Sequence, residues 1–228
     1  MNFNALVSRI QTELNDFTTR IKTRIEKWVN EGHYKICQDR AWNFLNVKYS
    51  DKMTFGASDF PIDIETDIDV NSSAVAAQSI IAMYDVTDDT WQELILKTAE
   101  QIKKEFDNED SQDSPPYYYY YVSDHEISVF PPISADRDFK FSFKKKLSTY
   151  ASGAVTALLI PDKYVDVLFE YVMWKAYRYK TDDRANQAFE SYSELLSSMV
   201  AAEADKTGII TVGENRLHTP FPRLVDNT

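Results

Sequence analysis

Three histidines and one cysteine are the residues whose types could do chemistry. His33, His125 and His218 lie far apart and no motif surrounds them. A shared metal or general-base role needs a recognisable spacing, so they read as surface or partner-contacting side chains. Cys37 sits beside an apolar helical stripe with no paired histidine, which makes it a packed thiol and not a nucleophile. Asp67-Ile68-Asp69-Val70-Asn71 resembles the opening of a calcium loop. Its sixth position should be glycine and is Ser72, and its twelfth should be glutamate and is Gln78. The same residues alternate like a strand, so they read as its solvated acidic face.

Five glycines stand isolated, so no phosphate-cradling loop can form from converging N–H groups. The nucleophile elbow G-x-S-x-G, the H-E-x-x-H pair and paired C-x-x-C are absent as well. Tyr117 to Tyr121 is a run of five tyrosines behind Pro115-Pro116. A stacking platform for single-stranded nucleic acid needs positive charge around it, and the preceding loop is acidic. The run therefore reads as a strand covered by core on one side and by a neighbouring subunit on the other, a place that suits tyrosine. Lys144-Lys145-Lys146 reads as a solvated strand end. No catalytic, cofactor-binding or metal-binding residue is expected, and the chain reads as a structural protein, not an enzyme.

The elements that would position these residues follow from periodicity. The chain has 228 residues, 43% hydrophobic and 27% charged, a globular composition. Phe3, Leu6, Val7, Ile10 and Leu14 share one helical face over about residues 3–14. After Asn15-Asp16, Thr18 or Thr19 can cap a second helix over 19–44, with the stripe Ile21, Ile25, Trp28, Val29 and Ile36 and a cluster of Trp42, Phe44 and Leu45. Gly32 interrupts that stripe and marks a close helix–helix approach. From Asn46 the period becomes two. Ile62 to Val70 alternates apolar with acidic residues, and further strands are expected at 76–84, 92–98, 117–122, 126–130 and 139–146. A short helix is expected over Glu100–Phe106, and an exposed acidic loop over Asp107–Pro116. Pro161 opens a helix to 180, and a second runs from 183 to 205, the two forming a hairpin.

These elements define an α+β fold: a helical bundle from N- and C-terminal helix pairs with an inserted antiparallel β module and an extended C-terminal tail. The expected divisions are 1–45, the first helix pair; 46–148, the β-rich module; 149–206, the closing hairpin; and 207–228, the tail. A net charge of −11 repels phosphate backbones and excludes tight duplex binding. The lone cysteine excludes an intramolecular disulfide and fits a cytosolic origin. No apolar run reaches the length of a membrane span, and the first 14 residues lack a signal peptide's apolar core. A soluble, intracellular protein is expected.

Several passages together resemble the head-to-tail adaptor (connector) proteins of tailed bacteriophages, a group that includes the tail tubular protein A type. Ile21–Leu45, with Trp28-Val29-Asn30-Glu31-Gly32 and Arg40-Ala41-Trp42-Asn43-Phe44-Leu45, looks like the family's second helix. Pro116-Tyr117-Tyr118 followed by Glu126-Ile127-Ser128-Val129-Phe130-Pro131-Pro132 looks like its central strand passage. Ile160-Pro161 and the helices around Tyr177 and Asp182-Asp183 look like its closing hairpin. The glycine-poor β region and the extended tail depart from the pattern. The resemblance implies a ring, usually dodecameric, in the neck of the virion after assembly in the host cytoplasm. Its partners would be the portal protein, identical subunits and a downstream tail or neck protein, with double-stranded DNA passing through unbound and no membrane involved. The tail would dock on the portal or an adjacent subunit through Arg216, Leu217, Phe221, Arg223 and Leu224. Two other classes stay open: a nucleic-acid- or glycan-binding β module on a helical stalk, and an enzyme using a carboxylate pair about 5–9.5 Å apart.

Overall fold

The computed structural model describes residues 1–70, 75–88, 90–106 and 115–204. They form a mixed α+β protein with five helices and an eight-stranded sheet curled into a half-barrel. Two compact units divide the chain: Met1–Asn43 with Tyr150–Thr228, and Phe44–Thr149.

In the helical unit, α1 spans Phe3–Glu13. Asn2 caps it, its side-chain oxygen accepting the Ala5 N–H at 2.8 Å. Phe3, Leu6, Val7 and Ile10 are buried, as their spacing requires. Asn15 leaves the helix in the left-handed region, φ 46°, a conformation asparagine tolerates. Helix α2 spans Thr19–Asp39, with Thr18 as its cap. It stops five residues short of the expected end. Arg40 turns extended, and the Trp42 indole donates to the Ile36 carbonyl at 2.6 Å, occupying an acceptor of the last turn. Trp42 is thus a cap folded back on the helix, and Asn43–Leu45 form a 3₁₀ turn.

Helix α4, Val165–Lys180, is buried along most of its length. Pro161 precedes it, but a 3₁₀ turn over Asp162–Tyr164 intervenes, so the α-helix begins later than expected. Thr181 ends it in the left-handed region, and the Asp182 N–H returns to the Tyr177 carbonyl at 2.9 Å. Helix α5 covers Ala185–Ala204. Helix α4 packs against α5, α2 and α1, and α1 against α2. Gly32 sits where α2 meets α4: a β-carbon there would lie 2.4 Å from Tyr171 Cδ1 and 2.8 Å from Leu168 Cδ1.

In the β unit, strands β1 (Asn46–Val47), β2 (Met53–Phe55) and β3 (Ile62–Asp63) are short, and β4 covers Ala77–Asp85 and β5 Gln92–Leu96. Helix α3, Ala99–Glu105, follows, then β6 (Tyr118–Tyr121), β7 (Glu126–Phe130) and β8 (Arg137–Lys145). The order is β1-β8-β4-β5-β6-β7-β3, with β2 also on β8. Ile62, Met83, Leu94, Tyr119, Ile127, Val129, Phe139, Phe141 and Phe143 line the inner face, one per two residues, and build its core.

Two expectations are corrected here. The module is not wholly antiparallel, because β5 and β6 pair in parallel. The α3 crossover between them returns the chain in the same direction, which a hairpin cannot do. The alternating stretch Ile62–Val70 is not one strand. It leaves the sheet after Asp63, whose carboxylate accepts the Glu65 N–H at 2.8 Å, while Asp67 accepts the Asp63 N–H at 2.9 Å. Such side-chain bonds offer the backbone a turn in place of the ladder. Ile64 and Ile68 remain fully buried, so the apolar half of the pattern still serves the core.

Candidate interaction surface

His33 is buried rather than exposed, which corrects the sequence reading. Its Nε2 lies 3.2 Å from the Tyr150 hydroxyl, and that hydroxyl accepts the Leu159 N–H at 3.1 Å. With its oxygen already accepting from Leu159, the Tyr150 O–H can donate to Nε2 when that nitrogen is unprotonated. Burial depresses the imidazole to a pKa of about 4. Cys37 is buried one helical turn away, its sulfur 3.9 Å from the same nitrogen. His125 is exposed, and His218 lies outside the described residues. Among the described residues no group of His, Cys, Asp or Glu is placed to hold a metal ion.

The tyrosine run alternates as a strand. Tyr119 points into the core, where desolvation pushes its phenol up to about 12. The Tyr121 hydroxyl accepts the Ile80 N–H at 2.8 Å. Tyr118 faces outward beneath Phe106, 5.7 Å between ring centroids, and Lys97 sits 3.9 Å above it. The structure thus covers Tyr118 with Phe106, the residue following α3 in the same chain, while Tyr117 is exposed.

A different aromatic cluster is exposed. Tyr49, Tyr84 and Trp91 form a triangle with centroid separations of 5.9, 4.9 and 5.6 Å. Trp91 is 50% and Tyr49 40% exposed. Lys140 Nζ lies 5.0 Å from the Trp91 ring, and Lys48 Nζ 5.5 Å from Tyr49. Register sets Tyr84 between Lys140 on β8 and Glu93 on β5, so these side chains share the outer face of the sheet. Sequence reasoning missed the triangle because its members come from two loops and a strand, 35 and 7 residues apart. The one available signal was Trp91 at the start of a strand, two residues before Glu93.

The same unit carries nearly all the net charge of the chain. Residues 44–149 hold ten Lys and Arg against twenty Asp and Glu, which is ten of the eleven net negative charges. Lys52 pairs with Asp138, Lys97 with Glu105, Arg137 with Asp85 and Lys146 with Glu65. The Arg137–Asp85 pair is the most enclosed, at 2.7 Å, with Thr87 also bonded to Asp85.

The expected partner-binding residues Arg216, Leu217, Phe221, Arg223 and Leu224 lie outside the described residues, as does the acidic loop over 107–114.

In the β unit the described side chains form an aromatic, lysine-edged patch on an acidic sheet. Residues 1–214 match the family described as SU10 adaptor protein, and the chain belongs to that family. It is a bacteriophage structural protein, a virion component that interacts with other head and tail proteins of the phage. No curated protein matches the chain. No described helix is long and apolar enough to cross a membrane.

Proposed function

We propose that this chain is a head-to-tail adaptor that forms a ring beneath the portal, joins the capsid to the tail and lines the channel through which DNA leaves. The observation that carries the reading is the family match over residues 1–214. Charge supports it: an acidic lining lets a duplex slide without sticking, since binding strength follows the number of phosphates neutralised. In this reading the ring is a dodecamer in the neck of the virion, assembled in the host cytoplasm. The N- and C-terminal helix pairs form one bundle that packs side by side around the ring, and such a ring uses heterologous contacts that close by rotation. The β unit faces the next tail or neck protein. The tail, residues 207–228, docks on the portal or an adjacent subunit, with Arg216, Leu217, Phe221, Arg223 and Leu224 as its contacts.

Negative-stain imaging of the protein mixed with its portal tests the reading. A symmetric ring seated on the portal is the expected result. A protein that stays monomeric and unbound beside assembled portal would overturn it. Gel shifts with the isolated protein should show only weak, salt-labile duplex binding, and a sequence-specific shift would favour a nucleic-acid-binding module instead.

A further inference from the structure

The sheet of the β unit is electrically lopsided on its outer face. At one end of the strand order, Lys48 and Lys140 edge the Tyr49–Tyr84–Trp91 triangle, and Lys144 stands on the same face of β8, four residues further. Among the described residues none of these three lysines has an ion-pair partner, although twenty acidic residues belong to the unit. Beside them β4 and β5 part beyond the Met83–Leu94 pair, across a bulge at Ile80–Ala82. The cleft there, about 330 Å³, is lined by Ile81, Glu93 and Ile95, with Ile81 53% and Ile95 60% exposed.

At the other end of the order the sign reverses. Asp63 on β3 stands directly opposite Glu126 on β7. Like charges facing each other across an antiparallel pair are destabilising. Asp67 and Asp124 lie beside them in sequence, both exposed. None of these four carboxylates has an ion-pair partner among the described residues. In a sheet curled into a half-barrel, the outer faces of its two ends point in different directions.

We infer that the lysine-edged aromatic patch of one copy docks the Asp63–Glu126 wall of a second copy. Two β units, each ten charges negative, repel everywhere except where an unpaired cationic area meets an unpaired anionic one. The chain supplies one of each, on opposite ends of one face, which is the arrangement of a heterologous head-to-tail contact. Trp91 and Tyr49 supply the large amphipathic anchors that carry interface energy. Ile81 and Ile95 extend the apolar floor. The inference names a subunit contact for the proposed ring and rests on that reading for closure alone.

Sedimentation velocity on the full-length chain tests it, with two charge-reversed variants. Wild type should associate with rising concentration and less so at high salt. Lys140→Glu with Lys144→Glu should need about tenfold more protein to associate, and so should Asp63→Lys with Glu126→Lys. Mixed one to one, the two variants should recover association, because each contact between unlike variants again joins opposite charges. Recovery also shows that both variants are folded. Association unchanged in either variant, or no recovery on mixing, would overturn the patch while leaving the ring reading standing. Wild type that stays monomeric both alone and with its portal would remove both. Quenching of Trp91 fluorescence by oligothymidylate, lost in Trp91→Phe, would assign the patch to single-stranded nucleic acid and overturn the contact between copies.

Discussion

Gly32 on α2 and Tyr171 on α4 meet so closely that a β-carbon on Gly32 would lie 2.4 Å from the Tyr171 ring. The ring is not free to swing away. Its hydroxyl donates to Glu31 at 2.7 Å, and Lys175 holds the same carboxylate at 2.6 Å. The glycine, a poor helix former, sits mid-helix because two backbones approach there.

Gly32→Ala should therefore destabilise the helical unit. Alanine gains roughly 1 kcal/mol of helix propensity over glycine. Overpacking a tight contact costs about 1–3 kcal/mol, and the ring's tether argues for the upper part of that range. The net expectation is a loss of about 1–2 kcal/mol, read from the urea midpoint. A midpoint equal to or above wild type would show that the ring can yield.

His33 should make stability depend on pH in a defined window. Its folded pKa is about 4, below the ordinary 6.5 of an exposed histidine. Between those values the unfolded chain binds the proton and the folded chain does not, so stability rises with pH. The contribution is fully present above about pH 6.5 and is lost as pH falls toward 4, at about 1.4 kcal/mol per unit. Unfolding curves at pH 7 and pH 5 should differ by that slope. His33→Gln, which keeps a polar group near Tyr150 but cannot titrate, should flatten it. An equal slope in the variant would assign the dependence to other groups.

Tyr121 and Ile80 give a test in the β unit. The phenol oxygen accepts the Ile80 N–H beyond the point where the β4–β5 pairing ends at Met83 and Leu94. Tyr121→Phe keeps the ring and strands the donor, which costs about 1–3 kcal/mol when the group is buried. Faster hydrogen exchange at the Ile80 amide would locate the loss. An unchanged amide and an unchanged midpoint would mean that water replaces the hydroxyl.

How much of this was legible depends on the range of the interaction. Helices α1 and α5 and strands β4 to β8 follow from local periodicity with ends close to those expected, and α4 follows from it as well, although a 3₁₀ turn delays its start. Gly32 was legible as a close approach because it breaks an apolar stripe. Features set by tertiary geometry were not legible. Asp63 and Asp67 compete with the ladder through their own side chains, and alternation looks the same in a strand and in that turn. Trp42 ends α2 by reaching back to Ile36, which propensity does not encode. The Tyr49–Tyr84–Trp91 triangle exists only once β4, β5 and the loop after β1 are side by side. His33 reads as a surface residue until Tyr150, 117 residues away, closes over it.

The last expectation concerns residues 207–228, which lie outside the described residues. The segment carries Ile209, Ile210, Leu217, Phe221, Leu224 and Val225 without helical or twofold periodicity. That is more apolar surface than a solubilising end requires. Arg216 and Arg223 give it basic character in a chain of net charge −11, which suits an acidic partner. Pro220 and Pro222 stiffen the chain around Phe221 and reduce the entropy lost on docking. Phe221 in a pocket would contribute about 1.5–3 kcal/mol, or roughly ten- to a hundredfold in affinity. Deleting everything after Lys206 should leave the circular dichroism spectrum of the monomer unchanged while weakening its association with the portal. Phe221→Ala alone should reproduce much of that loss. Full affinity in the truncated protein would sink the proposal, and a changed spectrum would show instead that the segment folds back on its own chain.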